Sequence, residues 1–160
     1  MIASTAKNHV VANAPDWWRA KGGSFTGLAS ARALARIGAA MAGGGALTAA
    51  SGGNNRAARI ISEEGARAAH ATNGKKMLEG INIPMTLTAA GWATDRFDDG
   101  FLGGWVGWGG AGGSIFVWNP AMNASFAYLP TRHTRRIHKA RGRTMLKALE
   151  RCLAQEALGM

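Results

Sequence analysis

A chain of 160 residues that is 47% hydrophobic is long enough for one domain with a core and too apolar for intrinsic disorder. Its formal net charge of +10 is unevenly placed: no Asp or Glu occurs between Asp99 and Glu150, while Arg132, Arg135, Arg136, Lys139, Arg141, Arg143 and Lys147 fall in that gap. Such a patch is either a solvated surface or a contact for phosphate, anionic lipid or an acidic partner. The single cysteine, Cys152, excludes an internal disulfide and a cysteine-based zinc cluster, and is expected as a buried apolar contact on a helix.

Residues 1–23 form a poorly defined N-terminal segment whose start lacks an apolar run long enough for a secretory leader, and residues 24–160 read as one structural unit. Residues 24–45, SFTGLASARALARIGAAMAGGG, give the clearest helix. Ala31, Leu34, Ala35, Met41 and Ala42 make an apolar stripe, and Arg32 and Arg36 lie on another, solvated face. Ser30 or Thr26 caps the start and Gly43-Gly44-Gly45 ends it. Residues 70–84 read as loop and residues 85–90 as a short strand. Asp95, Asp98 and Asp99 belong to a polar turn with too few oxygen ligands for a calcium loop.

Residues 101–129, FLGGWVGWGGAGGSIFVWNPAMNASFAYL, carry no charge, three of the six tryptophans, and seven glycines between positions 103 and 113. The stretch passes a length test for a membrane span, but this glycine density opposes a helix, and Asn119-Pro120 is a turn signal between two β-rich runs. The expectation is therefore no transmembrane segment. Instead the stretch reads as a glycine-lined lead-in, a strand over 114–118, a tight turn and a strand over 124–129, a hairpin buried on at least one face. Glycines in a strand let the backbone bend or let another molecule approach it. On glycine content alone, residues 107–113 are a bent, tightly packed strand entry and Trp108 is a core or rim aromatic. His133 and His138 have no third ligand type nearby, so neither a metal nor a cofactor is expected. From Arg143 onward, Met145, Leu146, Leu149, Leu153 and Ala157 mark an amphipathic helix lying on the sheet.

Trp108-Gly109-Gly110-Ala111-Gly112-Gly113-Ser114, then a strand, Asn119-Pro120 and a second strand ending Phe126-Ala127-Tyr128, resembles the third motif region of the serine β-lactamase-related hydrolases. That family holds class C β-lactamases, penicillin-binding DD-peptidases, related esterases and eukaryotic β-lactamase-like proteins. Its third motif is usually Lys-Thr-Gly or His-x-Gly, and Trp108-Gly109-Gly110 is similar to the Trp-Gly-Gly of some esterases. The run from Ala31 to Arg36, the run from Ile60 to Glu64, and Arg141-Gly142 ahead of the last helix extend the likeness over residues 24–158, while Gly91-Trp92 departs from the family's Gly-x-Gly-Phe run. By this resemblance, residues 46–59 take the place of a variable loop, and Ile60-Ile61 leads into a second helix capped by Ser62, with Glu63 and Glu64 in its first turn, where acids suit the helix dipole. The family normally needs about twice this length, so the chain looks like its C-terminal part. The fold class so implied is α/β (α+β), a partial β-lactamase/DD-peptidase-like fold whose antiparallel sheet holds a buried hairpin flanked by helices.

In a complete member, a serine activated by a lysine forms an acyl-enzyme that water then releases, and two backbone N–H groups hold the oxyanion. The resemblance puts Trp108, Gly109 and Gly110 in the substrate pocket and gives the strand N–H of the oxyanion site to Ala111. An indole carries no cation for a substrate carboxylate, so a neutral acyl substrate such as an ester is implied. Ser4-Thr5-Ala6-Lys7 formally matches the family's Ser-x-x-Lys nucleophile. It stands too close to the helix at residues 24–45, and no Tyr-x-Asn intervenes, so Ser4 and Lys7 read as a coincidental match. The implied partners are the missing N-terminal half or a completing polypeptide. The other reading is a non-catalytic basic module using residues 132–147 on nucleic acid or an anionic surface, but that segment lacks the interleaved aromatics of single-strand binders, which disfavours nucleic acid.

Overall fold

The computed structural model describes residues 15–19, 27–47, 58–79, 82–94, 103–110, 112–131, 141–157 and 159. Over these the chain forms α1 (Pro15–Arg19), α2 (Ala31–Ala42), β1 (Ala46–Leu47), β2 (Ala58–Arg59), α3 (Glu63–His70), β3 (Thr72–Leu78), β4 (Ile83–Thr88), β5 (Val106–Gly109), β6 (Ile115–Asn119), β7 (Ala124–Tyr128) and α4 (Arg141–Ala157).

Both early helices start where their caps lie. The Ser30 hydroxyl accepts the Ala33 N–H at 3.1 Å, and the Ser62 hydroxyl accepts the Gly65 N–H at 3.0 Å, each satisfying a donor that the first helical turn leaves open. Helix α2 ends as expected at Gly43, whose N–H returns to the Ala39 carbonyl at 2.9 Å. The alternative cap, Thr26, lies outside the described residues. The segment read as a variable loop closes at its base, because Ala46 pairs with Arg59 and Leu47 with Ala58.

Strands β5, β6 and β7 form an antiparallel sheet in that order, and β3 pairs with β4. Ala93 joins the two pieces: it bridges Leu87 of β4 on one side and Gly107 of β5 on the other. The continuous order is therefore β3, β4, Ala93, β5, β6, β7. Central strand β6 splits its side chains between two cores, as the pleat requires. Ile115 and Val117 meet Leu146 and Leu149 of α4 together with Trp105. Trp118 and Phe116 meet Ala42 and Met41 of α2 together with Val106 and Trp92. The expected antiparallel sheet with a hairpin between helices is present, with α4 on one face and α2 on the other.

The Asn119-Pro120 turn is built by the buried Asn119 side chain. Its Oδ1 accepts the N–H groups of Ala121 and Met122 at 3.0 and 3.2 Å, and its Nδ2 donates to the Gly103 carbonyl at 2.9 Å. One amide thus fixes both the hairpin turn and the approach to β5. No described helix is long and apolar enough to cross a membrane.

Five expectations need correction. The glycine-lined lead-in to the hairpin contains a strand of its own, Val106–Gly109, paired with β6. Residues 70–84 are not loop: His70 ends α3, and Thr72–Leu78 is a strand paired with β4. That strand is exposed along nearly its whole length and carries a register shift between Thr72 and Lys75, so it lacks the apolar alternation that marks a strand. The short strand read at 85–90 is Ile83–Thr88, because residues 89 and 90 enter the turn that returns the chain to Ala93. Met145 is 52% exposed rather than part of the buried stripe. Cys152 is exposed rather than buried. Both corrections follow from the orientation of α4, which turns Gly142, Leu146 and Glu150 inward and so leaves 145 and 152 on its outer side.

Candidate functional site

Three of the candidate pocket residues, Trp108, Gly109 and Gly110, sit at the end of β5, where the sheet stops pairing on one edge. Val106 opposes Trp118, Trp108 opposes Phe116, and Gly109 opposes Ile115. Just beyond, the Gly110 N–H donates to the Ser114 carbonyl at 2.8 Å and the Gly113 N–H to the Gly110 carbonyl at 2.9 Å, closing a tight turn. Ala111, the fourth candidate, lies outside the described residues, as do Ser4, Lys7, the acids of the 95–99 turn, His133, His138 and residues 132–140 of the basic segment.

Gly107 fixes how β5 runs. With φ at +149°, an added Cβ would run into the Phe116 carbonyl oxygen and stand 2.7 Å from the Val117 Cα. Only glycine lets β5 lie this close to β6. The Gly107 N–H donates to the Ala93 carbonyl at 3.0 Å, and the Ala93 N–H donates to the Gly107 carbonyl at 3.1 Å. Peptide direction alternates along an antiparallel ladder, so the Gly109 peptide points to that same edge, past the isolated Ala93 bridge and beside the 89–91 turn. The glycine-rich run therefore ends with a backbone edge turned away from β6.

The face above this edge is aromatic. Trp108 is half-buried and shares its face with Val106, Phe116 and Trp118. Trp92 stands edge-on to Phe116 and Trp118, with ring centroids 5.7 and 5.1 Å apart, geometries that suit aromatic quadrupoles. The Trp118 indole N–H donates to His70 Nε2 at 2.6 Å. That bond fixes Nε2 as the unprotonated nitrogen, and burial lowers the His70 pKa from the ordinary 6.5. On the opposite face the Trp105 indole N–H donates to Glu150 Oε1 at 2.7 Å inside the core.

Three described serine hydroxyls already have structural work: Ser30 and Ser62 cap helices, and Ser125 donates to the Ala35 carbonyl at 2.7 Å, tying β7 to α2. Among the described residues no group of three or more His, Cys, Asp and Glu comes together. Sequence reading missed His70 and Glu150. His70 lies 48 residues from its tryptophan, beyond any local pattern. Glu150 carried a usable sign, since it falls four residues after Leu146 on the inward stripe of α4.

No protein-family model and no curated protein matches the chain. Two solved structures resemble it. A penicillin-binding protein homologue from Caulobacter crescentus matches with a TM-score of 0.61 and 25% identity, over 76% of this chain and 31% of that one. A family VIII carboxylesterase matches with a TM-score of 0.49 and 20% identity, over 67% of this chain and 30% of that one. The chain thus spans about a third of the length of either protein, with 31% and 30% of them covered. The fold is a mixed α+β arrangement like part of a penicillin-binding-protein-like domain, in agreement with the fold class read from the sequence.

Proposed function

We propose that this chain is the C-terminal part of a β-lactamase-like serine hydrolase, carrying the third-motif strand of the pocket but neither the nucleophile with its lysine nor the Tyr-x-Asn group. The observation that carries the reading is the end of β5, where Trp108-Gly109-Gly110 leaves a glycine-lined backbone edge beside an aromatic face in the same fold as a penicillin-binding protein homologue. Trp108 would line the pocket, Gly109 and Gly110 would admit the substrate backbone, and the Ala111 N–H would help hold an oxyanion. With an indole where related enzymes place a cation, the pocket favours a neutral acyl group, an ester above a carboxylate-bearing β-lactam. Another polypeptide, or the remainder of a longer one, would supply the serine and its base.

On this reading the purified chain does not hydrolyse nitrocefin or p-nitrophenyl esters. Turnover that disappears in Ser4→Ala would overturn it, because the match at Ser4 and Lys7 would then be a working nucleophile. A second check is the coding sequence ahead of Met1: an in-frame Ser-x-x-Lys followed by Tyr-x-Asn supports the reading, and a closed frame leaves only a separate completing polypeptide.

A further inference from the structure

Helix α3 turns a thin face to the body of the protein. Its inward positions are Gly65, Ala66, Ala69 and His70, with Ala66 1% exposed. His70 is therefore the only side chain larger than a methyl group on that face. What it contributes is one hydrogen bond, accepted from the Trp118 indole at 2.6 Å, and a tilted ring contact with centroids 6.0 Å apart. The other end of the helix is held by its Ser62 cap and by Ile61 against Gly45.

We infer that the His70–Trp118 hydrogen bond is a proton-operated latch: neutral His70 holds the end of α3 on the tryptophan cluster, and protonation at Nε2 releases it. The added proton occupies the lone pair that accepts the indole N–H, so the imidazolium and the indole face each other as two donors with no acceptor between them. Among the described residues no charge offsets the new one, and burial is what acts on the His70 imidazole. Strands β5 and β6 and residues 92–94 contain no titratable side chain. Helix α2 carries only Arg32 and Arg36, and β3 only Lys75 and Lys76, all exposed and all of the same sign as the imidazolium. On α3 itself Glu63 and Arg67 face each other at 3.6 Å on the outer side, and Glu64 is exposed. Burial of the imidazole puts the transition below the ordinary histidine midpoint of 6.5.

Release acts on the face that carries Trp108. Trp118 opposes Val106, and the next pair on the same face is Phe116 with Trp108. A Trp118 ring freed from His70 loses the bond that fixes its tilt against Phe116 and Trp92. The latch therefore gives the aromatic face a mildly acidic off-state, and it stands whether or not the chain belongs to a hydrolase.

The test uses the full chain. Tryptophan emission and near-ultraviolet circular dichroism are followed from about pH 8 to about pH 5 in the wild type, His70→Gln and Trp118→Phe. Glutamine keeps an acceptor oxygen within reach of the indole but does not titrate in this range. The expected result is a one-proton step with a red shift of the emission in the wild type and no such step in His70→Gln. Retention of the step in His70→Gln, or its absence from the wild type, overturns the proposal. Should the glutamine variant fail to fold, proton NMR of the wild type decides, with Trp118→Phe identifying the indole resonance. The Trp118 indole N–H must titrate together with His70, and an indole signal indifferent to that ionisation overturns the latch.

Discussion

The two faces of the central sheet each bury an indole that donates to an ionisable acceptor, and the two acceptors answer to acid differently. On the α4 face Trp105 donates to Glu150 at 2.7 Å, and on the α2 face Trp118 donates to His70 at 2.6 Å. A carboxyl group keeps an acceptor oxygen whether or not it is ionised, whereas an imidazole Nε2 accepts only while it is unprotonated. Position reinforces the contrast. Glu150 is 4% exposed and lies well inside a helix of 17 residues, while His70 is half-buried at the last residue of a helix of 8. The indole bond on the α2 face therefore requires a neutral His70, a requirement that the bond on the α4 face does not share.

The largest effects should be shared by both faces. Trp105→Ala and Trp118→Ala each remove a fully buried indole, 0% and 1% exposed, and each should cost about 3–5 kcal/mol in urea unfolding. The phenylalanine variants separate the faces, because they keep most of the apolar area and delete only the N–H. Trp105→Phe withdraws a donor from an enclosed carboxyl group and should cost about 1–3 kcal/mol beyond the lost area, whereas half-buried His70 can turn to water, holding the cost in Trp118→Phe to about 1 kcal/mol. Equal losses for the two phenylalanine variants would break the comparison.

The helices approach the sheet through one glycine each, and here too the α4 side is the tighter. A Cβ at Gly142 would stand 2.6 Å from Tyr128 Cδ1 and 3.0 Å from Ile115 Cδ1, while one at Gly38 would stand 3.0 Å from the Ser125 Cβ and 3.2 Å from the Phe116 ring. Alanine regains about 1 kcal/mol of helix propensity at either site. Gly142→Ala should still destabilise, by about 1–2 kcal/mol net of that gain, because the Tyr128 ring must move. Gly38→Ala should fall within about 1 kcal/mol of the wild type, its clash and its propensity gain nearly offsetting. Paired urea titrations of the two alanine variants decide the order.

What was legible in the sequence was local. Ser30 and Ser62 cap their helices, Gly43 ends α2, and Asn119-Pro120 turns a hairpin, each because a side chain satisfies backbone groups within a few residues of itself. The run around Trp108-Gly109-Gly110 was legible only as a glycine-lined lead-in to that hairpin, whereas it holds a third strand, β5, with Trp108 and Gly109 on it and Gly110 just beyond its end. What was not legible depends on distant partners. Strand β3 is set by pairing with β4 and not by an apolar pattern of its own, and Gly107 is required by the backbone of β6 across the ladder. Met145 left the expected stripe and Glu150 entered the buried face because rotation of α4 about its axis follows from packing of Gly142 on Tyr128, which periodicity alone does not fix. The His70–Trp118 bond spans 48 residues, and no motif links its two ends.

The smallest effect is the one that distinguishes the faces most cleanly. Burial lowers the His70 pKa from 6.5, so the unfolded chain takes up this proton at a higher pH than the folded chain does. Stability from this group is therefore fully present above 6.5 and is lost as the pH falls from there through the lowered value, after which it falls no further on this account. The urea midpoint of the wild type should accordingly drop between about pH 7 and about pH 5. His70→Gln should remove that part of the slope, and Trp105→Phe should keep it, since it touches only the other face. A His70→Gln profile parallel to the wild type would mean that the slope comes from another titrating group and would overturn the contrast between the faces. A flattened profile in His70→Gln alone would locate the acid sensitivity of the fold at the end of α3, on the face that carries Trp108.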